Sequence, residues 1–96
     1  MNRRTRFKFK LFVAGDAPNS VQARSNLATL CRTHLADRYE IEIIDVFRQP
    51  KRALVDGIFM TPTLVKTAPG HVCRIVGNLS QASVVMEALG LEMDAT

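Results

Sequence analysis

The chain has 96 residues, of which 47% are hydrophobic and 23% charged, and its formal net charge is +4. This length fits one domain with one core, and the composition is that of a soluble globular protein. No apolar run approaches the roughly 20 residues that cross a bilayer, and no signal peptide is indicated. We therefore expect a single domain over residues 1–96, located in the cytoplasm.

The positive charge is concentrated at the start of the chain. Five of the 13 basic residues lie within the first ten positions: Arg3, Arg4, Arg6, Lys8 and Lys10. The other eight nearly balance the nine acidic residues, so the body of the domain lacks the excess of basic residues that marks a nucleic-acid-binding domain. We expect a flexible basic arm at residues 1–6, a frayed tail at residues 92–96, and neither nucleic acid nor a membrane as partner. Phosphate binding by the arm is the less favoured alternative.

The first half of the chain predicts a β-α-β unit. Residues 7–14 alternate apolar residues with lysines and then become continuously apolar, as in a strand that enters a core covered on both faces. Residues 18–20 predict the N-cap of a helix that continues to about Ala36. Residues 41–47 are rich in β-branched residues and follow at crossover distance, so they predict a parallel second strand.

The second half predicts a short helix, a hairpin and a last helix. Pro50 suits the first turn of the short helix, and Ala53, Leu54 and Ile58 predict one small apolar face on it. Residues 63–67 and 72–77 predict antiparallel strands, because the Pro-Gly turn between them suits a hairpin. Residues 78–80 can cap a helix that ends near Leu89. The predicted fold is therefore α/β, with the order β-α-β-α-β-β-α and a mixed four-stranded sheet that carries helices on both faces.

The turn after the first strand, at residues 14–20, resembles the redox turn of thioredoxin-like proteins but contains no cysteine. Thr61-Pro62 matches the proline that enters the third strand of such folds, and we expect this peptide bond to be cis. The architecture of a thiol oxidoreductase is thus predicted without its Cys-x-x-Cys pair. This favours recognition over catalysis, with no catalytic residue.

The two cysteines, Cys31 and Cys73, are far apart and have apolar neighbours, so we expect both to be buried packing residues. His34 and His71 complete no recognisable ligand spacing with them, and we expect no metal and no other cofactor. His34 is expected on the solvent-exposed side of its helix. A thiol oxidoreductase or peroxide sensor that uses one of these cysteines is the alternative from a different functional class.

Four segments carry a more specific pattern: Leu-Phe-Val-Ala-Gly with Pro-Asn-Ser-Val at residues 11–21, Ile-Asp-Val at 44–46, Thr-Pro-Thr-Leu with a lysine at 61–66, and Arg-Ile-Val-Gly-Asn-Leu-Ser at 74–80. In this order and spacing they resemble the family of the circadian clock protein KaiB. The similarity runs from about Phe7 to Leu89, nearly the whole chain.

The resemblance implies an adaptor that is not an enzyme. KaiB proteins bind the ATPase KaiC and then recruit or displace other clock partners, such as KaiA and the sensor histidine kinase SasA. They are also metamorphic, with a thioredoxin-like monomer that binds KaiC and a tetramer whose second half has another structure, so fold switching and a dimer or tetramer are implied. A KaiB-like stress or signalling protein outside a complete clock is the alternative within this family.

Basic residues in the second half are the partner-binding residues that the resemblance implies. Lys66 and Arg74 match family positions directly, and Lys51 and Arg52 are placed by segment. For each of the four, a solvated surface charge is the alternative. Asp45 stands between two apolar residues, which predicts a partly buried, hydrogen-bonded structural acid; a vestige of the buried acid of thioredoxins is the less favoured alternative.

Three residues bear on the choice between the two folds. Pro62 enters the third strand, and Ala88 stands where familiar clock members have glycine, which raises helix propensity by about 1 kcal/mol. Gly90 is placed to cap the last helix. We therefore expect this chain to favour the thioredoxin-like state. The chain departs from the family in the reduced proline content of the turn at residues 69–71 and in Gly57, which replaces a common lysine.

Overall fold

The computed structural model describes residues 5–91, so residues 1–4 of the expected arm and the whole expected tail lie outside the described residues. The elements in chain order are β1 (Phe7–Val13), α1 (Pro18–His34), β2 (Tyr39–Asp45), α2 (Pro50–Val55), β3 (Thr63–Ala68), β4 (Cys73–Val76) and α3 (Ala82–Leu89). The predicted α/β class and element order are confirmed.

The four strands form one mixed sheet in the order β2-β1-β3-β4. β1 and β2 are parallel and are connected by α1, whereas β3 is antiparallel to both β1 and β4. This topology places β1 and β3, which carry most of the buried strand residues, at the centre of the sheet. The Thr61-Pro62 bond is cis, as expected, and the Ala68-Pro69 bond is also cis.

Helices cover both faces of the sheet, as predicted, but unequally. α1 and α3 pack on one face against alternate residues of β1 such as Phe9 and Leu11, and this face holds the larger core. On the opposite face the described residues provide one helix, α2, whose Ala53 packs in a small cluster with Phe12, Ile44 and Val65. Of the nine large apolar side chains that are exposed within residues 5–91, five lie between residues 47 and 60, around α2.

The end of α3 confirms the predicted role of Gly90. Gly90 has φ 75°, its N–H donates to the carbonyl of Glu87 at 3.1 Å, and the N–H of Leu91 donates to that of Met86 at 2.8 Å. This is a Schellman motif, which requires a left-handed residue that glycine adopts without steric cost. Ala88 lies in the last turn of α3 with its side chain exposed.

The predicted cap of α1 is wrong. The helix begins at Pro18, so Ser20 lies inside it. Proline is tolerated there because an N–H in the first turn has no acceptor within the helix, so its absence costs no hydrogen bond. The buried hydroxyl of Ser20 instead accepts a hydrogen bond from the N–H of Ala14 at 3.0 Å. α1 also ends at His34, two residues earlier than expected, because Ala36 takes a left-handed conformation with φ 51°.

The predicted cap of α3 is wrong as well, since the helix begins at Ala82. The side-chain oxygen of Asn78 accepts from the N–H of Ser80 at 3.0 Å, which forms a turn before the helix. The same residue ties the turn to α1: its carbonyl accepts from Asn26 at 2.8 Å, and its amide donates to Gln22 at 2.9 Å.

Candidate protein-binding surface

α2 is a six-residue helix whose apolar and charged sides are reversed relative to a normal surface helix. Ala53 is its one buried residue. Leu54 and Val55, which follow it, point into solvent, whereas Arg52 and Asp56 are partly covered against the sheet. The sequence pattern had placed Leu54 on the inner face with Ala53, and this is wrong. An ordinary surface helix turns its apolar stripe towards the core.

The exposed apolar residues continue into the segments on either side of α2. We define the α2 surface as these five exposed residues: Phe47, Leu54, Val55, Phe59 and Met60. Phe59 is 93% exposed and Val55 is 85% exposed. Five such side chains, all within a 14-residue segment, expose on the order of 500 Å² of accessible area, and a contiguous patch of this size marks an interaction site on a soluble domain.

Ionic contacts hold α2 in this orientation. The ammonium of Lys10 on β1 lies 3.1 Å from the carboxylate of Asp56. The guanidinium of Arg52 makes two hydrogen bonds to the carboxylate of Glu42 on β2, one of them at 2.8 Å. The Arg52 hydrogen bond lowers the pKa of the Glu42 carboxyl below its ordinary value. The inner side of α2 thus combines the small apolar Ala53 with two ionic contacts, and the larger apolar side chains Leu54 and Val55 remain outside.

Arg74 holds the C-terminal end of α2. From β4 its guanidinium donates to the backbone carbonyl of Gly57 at 3.1 Å and to that of Asp56. These carbonyls follow the last turn of the helix, where a cation is favourable. Between Phe59 and Arg74 the surface has a shallow depression of about 190 Å³. Arg74 therefore forms one wall of a recess next to the α2 surface.

The structure places the four sequence-predicted binding residues in three different environments. Lys51 is exposed on the outer side of α2, next to Val55 in the same surface depression. Arg52 lies on the same helix and Arg74 at its C-terminal end, but their guanidinium groups are engaged by this chain's own acceptors. Only Lys51 thus presents its charge from the outer side of α2.

Lys66 is not a solvated charge: it is 8% exposed and shares the sheet face of Leu64, away from α2. Its ammonium donates to the carbonyl of Pro69 at 2.8 Å. The lysine therefore braces the β3–β4 turn, and in this structure its charge is not grouped with the other three. Alternation along β3 was the sequence signal that could have indicated this position.

Asp45 is a structural acid, as predicted. Its carboxylate accepts from the N–H of Phe47 at 2.9 Å and from that of Gly15 at 3.3 Å. The first bond makes a turn that ends β2, which explains why the strand stops at Asp45 and not at Phe47. The second bond fixes the turn that precedes α1.

The cysteines occupy different environments. Cys31 is fully buried in the α1 core, and burial raises the pKa of its thiol to about 12, so the nucleophilic thiolate is scarce at neutral pH. Cys73 is only half-buried, contrary to expectation, because it lies on β4, an edge strand of the sheet. The Cys73 thiol donates to the carbonyl of Ala88 at 3.2 Å.

Within residues 5–91, no three histidine, cysteine or acidic side chains are grouped as metal ligands.

The sequence pattern did not indicate the five residues of the α2 surface as a binding site. Single exposed apolar residues are common, so residue type alone carried no signal. The useful signal was the clustering of apolar residues around a six-residue helix too short to bury them.

Among residues 5–91, no helix has the length and apolar content needed to span a bilayer.

Comparisons with known proteins agree on family and fold. A family model described as "KaiB domain" matches residues 10–91. The chain is 40% identical over 88 residues to circadian clock protein KaiB3 of Synechocystis sp., covering 92% of this chain and 84% of that protein. It is 41% identical over 91 residues to circadian clock oscillator protein KaiB of a Synechococcus species, covering 95% and 83%.

Solved structures show the same fold at lower identity. The N-terminal domain of Synechococcus elongatus SasA superposes with a TM-score of 0.72 at 20% identity, covering 95% of this chain and 90% of that domain. Chloroplastic thioredoxin z gives a TM-score of 0.75 at 22% identity, covering 88% and 76%. The fold is therefore thioredoxin-like.

Proposed function

Because the chain belongs to the KaiB family of circadian clock proteins, we propose that it is a non-catalytic, cytoplasmic adaptor that binds a KaiC-type ATPase through the α2 surface. The observation that carries this proposal is the outward orientation of Leu54, Val55 and Phe59. Exposing these side chains to water is unfavourable, and nothing within residues 5–91 of the free domain offsets this cost. A partner that covers them removes the apolar area from water and so gains binding free energy.

The charge around the α2 surface defines the partner further. Lys51 and Arg48 are exposed beside the apolar residues and line adjoining depressions. A rim of basic residues favours a partner with an apolar patch surrounded by carboxylates, because complementary charge increases the association rate and fixes the orientation of binding. We include Lys51 in the binding site and treat Arg52 and Arg74 as supports of that site.

The thioredoxin-like domain of a SasA-type kinase has the same fold. That likeness supports the proposal that such a sensor histidine kinase competes with this chain for one ATPase surface. We propose a KaiA-like protein as a further partner. A thiol-redox function gains no support from this structure, since the turn before α1 has no cysteine and burial raises the Cys31 pKa.

The proposal is tested by paired serine substitutions. Val55→Ser with Phe59→Ser removes two exposed apolar side chains of the α2 surface, so the domain keeps its stability. Affinity for a purified KaiC-type ATPase is expected to fall by about 100-fold, as for two interface residues that each contribute about 1.4 kcal/mol. Val84→Ser is the matched control, since Val84 is exposed on α3 behind the opposite sheet face. Affinity is measured by biolayer interferometry. Unchanged affinity in the double variant contradicts the proposed site.

A further inference from the structure

Four charged side chains between α2 and the sheet form a set, which we name the charge quartet: Lys10, Glu42, Arg52 and Asp56. Lys10 and Glu42 are direct cross-strand partners of β1 and β2. Arg52 and Asp56 are four residues apart, which places them on one side of the helical turn. Arg52 of the helix thus faces Glu42 of the sheet, and Asp56 after the helix faces Lys10.

The charge quartet opposes the packing that the hydrophobic effect favours. Rotation of α2 about its axis would bring Leu54 and Val55 onto the sheet and remove apolar area from water. The same rotation would cover Lys10 and Glu42 with apolar side chains and take away their counter-charges. Charges that lose water without gaining a partner are costly, so the sheet surface specifies which side of α2 faces inward.

We propose that the charge quartet is a positioning device: it holds the apolar residues of α2 outward and thereby sets partner affinity without contacting the partner. Arg52, which the sequence placed among the partner-binding residues, is on this account a positioning residue. The binding readout of this inference rests on the proposed function, whereas the orientation of α2 is measured in the free protein.

The experiment uses two variants of the full chain with the same net charge as the parent. The half-inverted variant, Arg52→Glu with Asp56→Arg, opposes like charges in both pairs between α2 and the sheet. The fully inverted variant adds Lys10→Glu and Glu42→Lys, which restores both attractions with every sign reversed. Because exposed ion pairs contribute little to global stability, both variants are expected to fold, and circular dichroism checks this.

In the free protein, methyl NMR reports the orientation of α2. The half-inverted variant is expected to lose NOEs from the Ala53 methyl to those of Ile44 or Val65, its neighbours in the cluster under α2, and its α2 amides are expected to exchange at least about tenfold faster. The fully inverted variant is expected to match the parent in both measurements. If the half-inverted variant does not fold, Arg52→Gln, which removes one attraction without adding repulsion, replaces it. A parent-like spectrum in the folded disrupted variant overturns the inference.

Binding to a purified KaiC-type ATPase separates positioning from direct contact. The half-inverted variant is expected to bind about tenfold more weakly than the parent and the fully inverted variant within about threefold of it, as in a cycle that restores a coupled pair. If the fully inverted variant binds as weakly as the half-inverted one, Arg52 contacts the partner and the inference is overturned. If the parent itself does not bind, the proposed function fails and the NMR result alone decides the orientation.

Discussion

Gly90→Ala tests whether the left-handed cap of α3 stabilises the observed fold. Gly90 has φ 75°, and a Cβ added there would meet nothing within 4 Å, so the substitution adds conformational cost without a clash. A non-glycine residue pays about 1–2 kcal/mol in this region. The more restricted unfolded chain of the alanine variant offsets roughly 0.4–1 kcal/mol. We therefore expect a loss of about 1 kcal/mol, which corresponds to a melting temperature lower by about 4–8 °C.

Gly70→Ala is the matched control, because Gly70 has φ 71°, is equally unobstructed, and lies in the β3–β4 turn. Urea unfolding should show a similar loss for both variants. Amide exchange should separate them: only Gly90→Ala releases the N–H groups of Gly90 and Leu91, which close the end of α3. Unchanged stability in Gly90→Ala, or the same α3 exchange in both variants, refutes the reasoning.

Three further predictions concern other parts of the domain. Ala36→Gly is expected to stabilise the protein by about 1 kcal/mol in thermal unfolding, because Ala36 already has φ 51°; a loss would contradict this account of the α1 terminus. Native protein at pH 8 should be alkylated at Cys73 and protected at Cys31, whose pKa is raised to about 12, as peptide mass spectrometry would show; rapid Cys31 labelling would be incompatible with its burial. The hydrogen bond from Arg52 depresses the folded-state pKa of Glu42, so this pair stabilises the folded protein above the unfolded pKa of about 4.3 and stops doing so as pH falls through the folded pKa. The difference in unfolding free energy between the parent and Glu42→Gln should therefore shrink in that pH window. A difference that stays constant with pH would argue against the pairing.

The α2 surface names the side chains of this KaiB-family protein that are exposed for binding a partner. The family match covers residues 10–91 but does not say which side chains are available to a partner. The structure identifies apolar residues that the free domain leaves in water, together with an exposed Lys51 on the same side of α2. It also separates this basic residue from Lys66, whose ammonium is bound to the chain's own turn.

Local features of the sequence determined the order of the elements. Alternation along β1 and the Pro-Gly turn between β3 and β4 act over a few neighbouring residues, so they could be interpreted without the fold. Gly90 was predictable for the same reason, because a helix that stops needs a left-handed residue at its end. The helix starts were predicted incorrectly, since Ser20 and Asn78 bond to groups outside the helices that they were expected to cap.

The orientation of each surface element was decided by tertiary structure. Leu54 and Arg52 are close on one short helix, and the pattern favoured Leu54 inside. β1 and β2 bring Lys10 and Glu42 together beneath α2, and these two charges select Arg52 and Asp56 as its inner side. That choice depends on residues more than 40 positions apart in the case of Lys10 and Asp56. Short-range periodicity contains no information about such a contact, because it is the sheet pairing that creates the charged surface to which the helix responds.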